Sequence, residues 1–239
     1  MNGKKNRPLI IAHRGAIDIA PENSLQAFRK AIELKADYIE FDVHKSKDGA
    51  LVVIHNNDIL RMLGYSSTIE QMTLKELKNV DIGLGEKIPE LKDVINMAKG
   101  KVKLLCELKA KISEDVITLL RNENLIKSTI VLSFDMEELK IARKIEPELE
   151  LGAVITEEFI PELDKKRELI RNVANLKFPY IISRYKNVDI NFVNYSHELG
   201  LKVFVYPINT KITMKKCVNM GVDGMLVNSI SKAKAIFKN

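Results

Sequence analysis

The 239-residue chain contains no tryptophan, only two cysteines and few aromatic residues, which make up 6% of it. Aromatic side chains form the stacking surfaces of many nucleic-acid sites, and no nucleic-acid-binding motif is present. Cys106 and Cys217 lack the Cys-x-x-Cys and Cys/His spacings of zinc sites, and they do not suggest a disulfide framework. We therefore expect a protein of a reducing compartment, the cytoplasm, that has no nucleic-acid partner.

Long apolar runs are absent as well, and none approaches the roughly 20 residues of a membrane-spanning helix. The apolar stretch after the basic N-terminus covers only Leu9–Ala12 before His13 interrupts it, which is too short for the core of a signal peptide. The net charge of +6 arises from basic residues with acidic ones interleaved. This composition suits a small anionic substrate and predicts no stable membrane insertion.

What the chain does contain is a regular alternation of short β-type runs and amphipathic helical stretches. With 46% hydrophobic residues, the chain can form one domain over residues 1–239. The alternation predicts an α/β fold of parallel strands with crossover helices, and eight strands in this length fit a (β/α)8 TIM barrel. The expected strands are Leu9–His13, Tyr38–Val43, Val102–Leu108, Thr129–Ser133, Leu151–Ile155, Tyr180–Ser183, Lys202–Val205 and Asp223–Val227. Asn23, Ser113 and Asp135 are the expected N-caps of three of the helices.

One run, Leu51–His55, breaks the alternation. It follows Val43 too closely for a crossover helix, and the turn dipeptide Asp48-Gly49 lies between them. We therefore expect a hairpin arm that returns His55 to the carboxyl end of the second barrel strand, where active sites of this fold are built. Residues 56–88, which have weak periodicity and three glycines, are interpreted as a loop insertion over the barrel mouth, in the position of a lid.

Several charged residues share one face at the carboxyl ends of the predicted strands. Alternate side chains of a barrel strand point inward, so Glu40 and Asp42 face the interior together. The same argument places Glu107 with Lys109, and His13 with the inward face of the first strand. We expect all five side chains to meet at the barrel mouth.

Three inward carboxylates would repel one another and raise their own pKa values unless a cation lay between them. Ligands that are all oxygen favour Mg²⁺, Ca²⁺ or Mn²⁺ over zinc or copper. Glu40, Asp42 and Glu107 therefore predict a site for one divalent cation. The alternative is a purely structural cluster in which Arg14 and Lys109 neutralise the carboxylates.

Blocks of sequence occur in a fixed order along nearly the whole chain. They are Ala12-His13-Arg14-Gly15, Pro21-Glu22-Asn23-Ser24, Asp37–Val43, Val52–Asn56, Ile88–Leu91, Glu107-Leu108-Lys109, Gly200–Asn209 and Gly221–Gly224. In this order and spacing they resemble the glycerophosphodiester phosphodiesterase family. The resemblance implies an enzyme that hydrolyses glycerophosphodiesters to glycerol 3-phosphate and an alcohol on a (β/α)8 barrel.

The resemblance also implies roles for individual residues. Glu40, Asp42 and Glu107 would hold the cation, His13 and His55 would be the catalytic acid and base, and Arg14 and Lys109 would bind the phosphate. Tyr206 stands where the family usually has tryptophan, and would either line the glycerol side of the substrate or be a core aromatic. Glu22 and Asn23 would support the ligands or a histidine, while Glu22 could instead only favour the first turn of the next helix.

Elementary chemistry agrees with these roles, because a phosphodiester needs its charge neutralised, a nucleophile deprotonated and an alkoxide protonated. The cation, Arg14 and Lys109 can supply the first, and two imidazoles can supply the other two. Which of His13 and His55 is the base stays open at this point. The nucleophile is either water or the glycerol hydroxyl of the substrate, the latter passing through a cyclic phosphate.

The sequence departs from the family at two positions. Asn56-Asn57 follows His55 where the family often has an acidic residue, and Val227-Asn228 stands where Thr-Asp is common. We expect neither change to touch the cation ligands or the proton-transfer residues. Two further histidines are expected outside the site: His44 at the rim or in solvent, and His197 at the surface near a helix C-terminus.

Two alternative functions remain. A phospholipase C-like or sphingomyelinase D-like lipid phosphodiesterase would use a similar histidine pair with an apolar rim, which Ile59, Leu60, Met62, Leu63 and Tyr65 could supply. A non-catalytic phosphoester-binding protein should have lost a histidine or a carboxylate, and this chain keeps them all. The oligomeric state stays open.

Overall fold

The computed structural model describes residues 7–56, 61, 64–155 and 162–237. Its strands are β1 (Leu9–Ala12), β2 (Tyr38–Lys45), β3 (Leu51–Val53), β4 (Lys103–Leu108), β5 (Thr129–Ser133), β6 (Glu150–Val154), β7 (Tyr180–Arg184), β8 (Lys202–Ile208) and β9 (Gly224–Val227). Its α-helices are α1 (Leu25–Glu33), α2 (Leu74–Leu77), α3 (Leu91–Ala98), α4 (Ser113–Asn122), α5 (Met136–Ile145), α6 (Leu163–Asn175), α7 (Ile190–Glu198), α8 (Lys211–Met220) and α9 (Ile230–Ala235). Short 3-10 turns lie at Ile69–Gln71, Ile126–Ser128 and Tyr185–Asn187.

The sheet closes on itself. Strands pair in the order β1-β9-β8-β7-β6-β5-β4-β2, and β1 pairs with β2 as well, so eight parallel strands form a ring. Helices follow the strands along the chain and cover the outside of the ring. The (β/α)8 barrel predicted from the alternating pattern is confirmed. The described helices include none with the length and apolar composition needed to cross a bilayer.

The interior of the barrel is filled with side chains. One buried cluster takes alternate residues from every strand except β3, and is formed by Ile11, Tyr38, Leu105, Ile130, Leu132, Val154, Tyr180, Ile182, Phe204 and Leu226. Glycines make room for the larger members, because a Cβ added at Gly152 would lie 2.5 Å from the Leu132 side chain. The barrel is therefore a packed core, and the residues just beyond this cluster form the floor of its mouth.

Strand β3 lies outside the ring and runs antiparallel to β2, with Val43 opposite Val53 and Lys45 opposite Leu51. The predicted hairpin is confirmed. The insertion that follows contains more than a loop, because helix α2 and a 3-10 turn lie within it. Together with β3 they build a small buried cluster of Val52, Ile54, Ile69, Met72, Leu77, Val80 and Ile88. The apolar residues Ile59, Leu60, Met62 and Leu63 lie outside the described residues, and Tyr65 is 37% exposed.

Some predicted boundaries were wrong. The N-cap of α1 is Ser24, whose side chain accepts a hydrogen bond from the Ala27 backbone N–H, rather than Asn23. Ser113 is the first residue of α4 and not its cap. Its hydroxyl and backbone N–H instead donate to the buried carboxylate of Glu138 at 2.8 and 3.0 Å, so a neighbouring helix caps this one. Asp135 is confirmed as a cap, since its carboxylate accepts from the Glu137 N–H.

Candidate active site

The structure brings three carboxylates together at the carboxyl ends of β2 and β4. Asp42 and Glu107 are register partners on these neighbouring strands, and Glu40 precedes Asp42 on the same face. All three side chains are buried, and one oxygen from each lies within 4.8 Å of the other two. The strand alternation that predicted their shared face is thus reproduced in three dimensions.

Two cations neutralise part of this cluster. The Nζ atom of Lys109 lies 3.1 Å from Oδ1 of Asp42 and also contacts Glu107. Nε of Arg14 lies 3.5 Å from Oδ2 of Asp42, and the Arg14 backbone N–H donates to Oε2 of Glu40 at 2.8 Å. Lys109 and Arg14 therefore approach the carboxylates from β4 and from the loop after β1.

Glu22 and Asn23 fix the positions of these groups. Both carboxylate oxygens of Glu22 accept from Nη1 of Arg14, at 3.1 and 2.9 Å. The side-chain amide of Asn23, which is fully buried, donates to Oδ2 of Asp42 at 2.9 Å. Asn23 therefore acts on a carboxylate of the cluster, and Glu22 acts on the guanidinium beside it.

The loop that carries Arg14 depends on a glycine. Gly15 has φ +89°, a left-handed conformation that side chains disfavour. A Cβ on this residue would lie 2.7 Å from the Cβ of Ala27 in α1, so the loop and the helix can approach only because the side chain is missing. This close approach holds Arg14 against the carboxylates.

The electrostatics of the cluster show an excess of negative charge. Burial, and then repulsion from Asp42, raise the pKa values of both Glu40 and Glu107 above their ordinary range. For Asp42, burial raises the pKa, but Lys109 and Arg14 outweigh it and the pKa is lowered. Arg14 and Lys109 together thus do not neutralise the three carboxylates. A divalent cation fits this site, because all the donor atoms are oxygens and the cluster needs more positive charge than Arg14 and Lys109 supply.

His13 lies at the mouth directly after β1, with its backbone N–H bonded to Val227. Its Nδ1 lies 3.2 Å from Oδ1 of Asn228, so Nδ1 carries the proton when this oxygen accepts, and Nε2 is left with a free lone pair. Burial, and then the charge of Arg14, lower the pKa of His13 to about 4. The imidazole is therefore neutral at pH 7.

His55 is carried into the site by the hairpin. The backbone N–H of Ile54 donates to the carbonyl of Asp42 at 3.0 Å, which fixes the return of the chain beside the cluster. Burial lowers the pKa of His55 to about 4, and the charges of Arg14 and Lys109 add to this while Asp42 opposes it. Both histidines thus respond to the same charged groups, and both are neutral at pH 7.

His44 is not at the rim or in solvent, and that expectation was wrong. It is 6% exposed, because β2 continues past Val43 to pair with β3 and covers it. Its Nε2 lies 3.3 Å from the carbonyl oxygen of His55, and its Nδ1 lies 3.3 Å from Glu70. His44 therefore ties the hairpin arm to the insertion. His197 does lie at the surface in the last turn of α7, as predicted, and pairs with Asp223.

Two aromatic residues, Phe134 and Tyr206, lie at the wall of the mouth. The Phe134 ring centroid lies 5.2 Å from Nζ of Lys109, and Tyr206 packs on the interior cluster while staying half-buried. Burial, and then the charge of Glu107, raise the pKa of the Tyr206 phenol, so it is protonated at neutral pH. Tyr206 is therefore near enough to the carboxylates to sense their charge.

Asn228 is part of the site, although we did not expect it there. We expected the changes at positions 56–57 and 227–228 to touch no proton-transfer residue, and for Asn228 that was wrong, because it contacts His13. The signal was available: Asn228 lies two residues after the inward-facing Leu226, so strand alternation points it into the mouth. The same test finds Arg184, two residues after the inward-facing Ile182.

Comparisons with known proteins point to one family. The sequence model of the glycerophosphoryl diester phosphodiesterase family matches residues 13–232. A glycerophosphodiester phosphodiesterase of Caldanaerobacter subterraneus is 30% identical over 236 residues, covering 93% of this chain and 94% of that protein. An Oleispira antarctica phosphodiesterase, solved in complex with the product sn-glycerol-3-phosphate, has a TM-score of 0.85 at 25% identity and covers 98% of both chains. A glycerophosphodiester phosphodiesterase of Thermotoga maritima has a TM-score of 0.81 at 25% identity, covering 98% and 99%. The chain belongs to the glycerophosphoryl diester phosphodiesterase family of enzymes.

Proposed function

We propose that this chain hydrolyses glycerophosphodiesters to glycerol 3-phosphate and an alcohol, with one divalent cation and with His13 and His55 as the proton-transfer pair. One observation carries the proposal. Three buried carboxylates lie within 4.8 Å of one another, at the mouth of a barrel that also presents two neutral histidines, an arginine and a lysine.

Glu40, Asp42 and Glu107 would hold the cation, and Mg²⁺, Ca²⁺ and Mn²⁺ are the candidates for an all-oxygen site. When bound, the cation would neutralise the phosphodiester and the charge that develops on its oxygens. Arg14 and Lys109 add two fixed positive charges beside the same position. Because Nη1 of Arg14 donates to both carboxylate oxygens of Glu22, the guanidinium is fixed and can present its other N–H groups to a phosphate oxygen without reorganising.

The two histidines would divide the proton transfers. An imidazole whose pKa is about 4 is unprotonated at pH 7 and can accept a proton from the attacking hydroxyl. The other must deliver a proton to the leaving alkoxide, and the negative charge of a bound phosphodiester raises its pKa for this task. The contact of Asn228 Oδ1 with Nδ1 of His13 would hold that ring in one orientation. The contact of His44 Nε2 with the backbone carbonyl oxygen of His55 would fix the position of the second histidine.

Tyr206 would bind the substrate from the wall of the mouth across from Asp42. Asn23 would keep Asp42 aimed at the cation through its buried amide.

Residues 56–88 would cover the mouth as part of a single domain over residues 1–239, anchored by the small apolar cluster against β3. The two free, buried cysteines Cys106 and Cys217 suit a reducing compartment, and we assign the enzyme to the cytoplasm.

Two other functions are less well supported. A phospholipase C-like or sphingomyelinase D-like enzyme would release a different product pair, whereas the Oleispira phosphodiesterase was solved with sn-glycerol-3-phosphate. A non-catalytic phosphoester-binding protein would not need two histidines beside the charged cluster, and this chain retains both.

The test is an assay of cation-depleted enzyme against glycerophosphocholine, glycerophosphoethanolamine and bis(p-nitrophenyl) phosphate. Each substrate is measured with Mg²⁺, Ca²⁺ or Mn²⁺ restored, and with chelator alone. We expect activity to return with at least one of these cations. The variant Glu107→Gln keeps the size of the side chain but removes a charge that the cation needs, so it should bind the cation more weakly and lose activity. Full activity in the presence of chelator would contradict the proposal.

A further inference from the structure

Arg184 is the last residue of β7 and points into the barrel mouth. Tyr180 and Ile182 on the same strand belong to the interior cluster, so alternation puts Arg184 on the same inward face. The two residues beneath it are buried, whereas Arg184 is exposed. Its guanidinium therefore lies above the packed core, on the wall of the mouth.

The position of β7 in the ring places Arg184 across the mouth from the cation ligands. Counting around the barrel, β7 is four strands from β2 in either direction. Because β2 carries Glu40 and Asp42, a substrate whose phosphate lies beside these carboxylates must extend toward another part of the wall. Arg184 stands on the opposite part.

Arg184 differs from the other two mouth cations in its partners. Arg14 is paired with Glu22 and Asp42, and Lys109 is paired with Asp42 and Glu107. For Arg184, no carboxylate among the described residues lies within ion-pair distance. The positive charge of Arg184 is thus not neutralised by any carboxylate among the described residues.

Arg184 lies beside Tyr206 on this part of the wall. The two residues are register partners on β7 and β8, and the charge of Arg184 lowers the pKa of the Tyr206 phenol, against the larger effects of burial and of Glu107. Tyr206 in turn packs on the interior cluster. With no described carboxylate paired to it, the guanidinium of Arg184 can offer its N–H donors to a ligand.

We propose that Arg184 is a specificity-determining residue, which selects glycerophosphodiesters that carry a second anionic group beyond the phosphate. This inference rests on the proposed function and names the substrate class of the same site. The planar guanidinium fork matches a carboxylate, to which it can donate two parallel hydrogen bonds. Neutral or cationic groups at this position gain nothing from the contact.

The effect of a second anionic group can be measured with two substrates that differ only in that group. Glycerophosphoserine and glycerophosphoethanolamine share the glycerol, the phosphodiester and the amine, and differ by one carboxylate. The ratio of their kcat/KM values therefore reports the recognition of that carboxylate, while effects on the common chemistry cancel. Exposed charge pairs contribute up to about 1 kcal/mol, which corresponds to about a 5-fold ratio.

The experiment measures this ratio in the cation-loaded wild type, in Arg184→Gln and in Arg171→Gln. Arg171 is a matched control, because it is an exposed arginine whose Nη1 contacts the hydroxyl of Tyr195 on the outer helices. We expect the wild type and Arg171→Gln to prefer glycerophosphoserine by the same factor. We expect Arg184→Gln to lose about 5-fold of that preference, and Arg184→Lys to keep part of it because the charge remains.

An equal ratio in the wild type and in Arg184→Gln would overturn the inference while leaving the proposed function intact, provided that both substrates are hydrolysed. If neither is hydrolysed with any cation, the proposed function fails. In that case calorimetry measures the dissociation constants of both substrates for the same proteins. A preference for glycerophosphoserine that Arg184→Gln loses would still support the role of Arg184, and an equal preference in wild type and Arg184→Gln would overturn it.

Discussion

Lys109 holds the same carboxylate that is assigned to the cation, with its Nζ atom 3.1 Å from Oδ1 of Asp42. It also contacts Glu107, so one ammonium bridges two of the three ligands. Positive charge from the chain and positive charge from a cation thus act on the same oxygens. Lys109 should therefore oppose cation binding by charge repulsion, even though the proposed function also gives it a part in binding the phosphate.

This relationship gives the first prediction. Lys109→Met keeps most of the side-chain volume and removes the charge, so the cation should bind about 10-fold more tightly while kcat falls on the order of 10²-fold. Calorimetric titration with Mn²⁺ and steady-state kinetics measure the two effects. Lys111→Met, an exposed neighbour two residues along, is the control and should change neither. Weaker cation binding in Lys109→Met would show that Lys109 supports the ligands instead of competing with the cation.

The second prediction concerns protons released when the cation binds. Burial and repulsion from Asp42 raise the pKa of Glu107 to about 7, so most of the free protein carries a proton there at pH 6. The proposed cation needs the ionised carboxylate, and its affinity should therefore rise between pH 5.5 and about 8, then level off. Calorimetry at pH 6 in two buffers of different ionisation enthalpy counts the released protons. Affinity that is constant over this range would disprove the raised pKa.

The third prediction separates the roles of His13 and His55. Alanine at either position should lower the rate on the order of 10²–10⁴-fold with glycerophosphocholine as substrate. p-Nitrophenolate leaves without help from an acid, so the variant lacking the acid should recover much of its rate on bis(p-nitrophenyl) phosphate. The variant lacking the base should be impaired on both substrates. Equal responses of the two variants to the leaving group would refute the division into acid and base.

The fourth prediction uses the contact between Asn228 and His13. A neutral amide orients the imidazole but stabilises an imidazolium only weakly, and burial keeps the pKa of His13 near 4. Asn228→Asp places a carboxylate at the same position and should raise this pKa by roughly 1 unit or more. NMR titration of labelled histidine measures the change, and the His55 signal in the same sample serves as the control. An unmoved His13 signal would mean that Asn228 does not face the ring in solution.

Much of the fold followed from the sequence because local patterns determine it. The alternation of strands and helices predicted the barrel, and the spacing between Val43 and Leu51 predicted the hairpin. Side-chain alternation along β2 and β4 was enough to bring Glu40, Asp42 and Glu107 together. These inferences need only the geometry of one strand or of one pair of strands.

The errors arose where distant segments meet. His44 was expected at the rim, since β2 appeared to end at Val43, but pairing with β3 extends the strand to Lys45. Asn23 has the residue type of an N-cap, yet its amide is taken by Asp42, and Ser24 caps the helix in its place. Local spacing predicted the hairpin but not how far its strands pair, and the contacts of Asn23 with Asp42 and of His44 with Glu70 join different elements, which no local pattern contains.

Identifying the reaction products by phosphorus NMR tests whether the cation-loaded enzyme hydrolyses glycerophosphodiesters to glycerol 3-phosphate. Wild-type enzyme loaded with Mg²⁺, Ca²⁺ or Mn²⁺ is mixed with glycerophosphoethanolamine, and a chelated sample runs in parallel. We expect a growing signal of sn-glycerol 3-phosphate with at least one cation and none with chelator. Phosphoethanolamine as the product, or glycerol 3-phosphate formed equally fast in chelator, would contradict it.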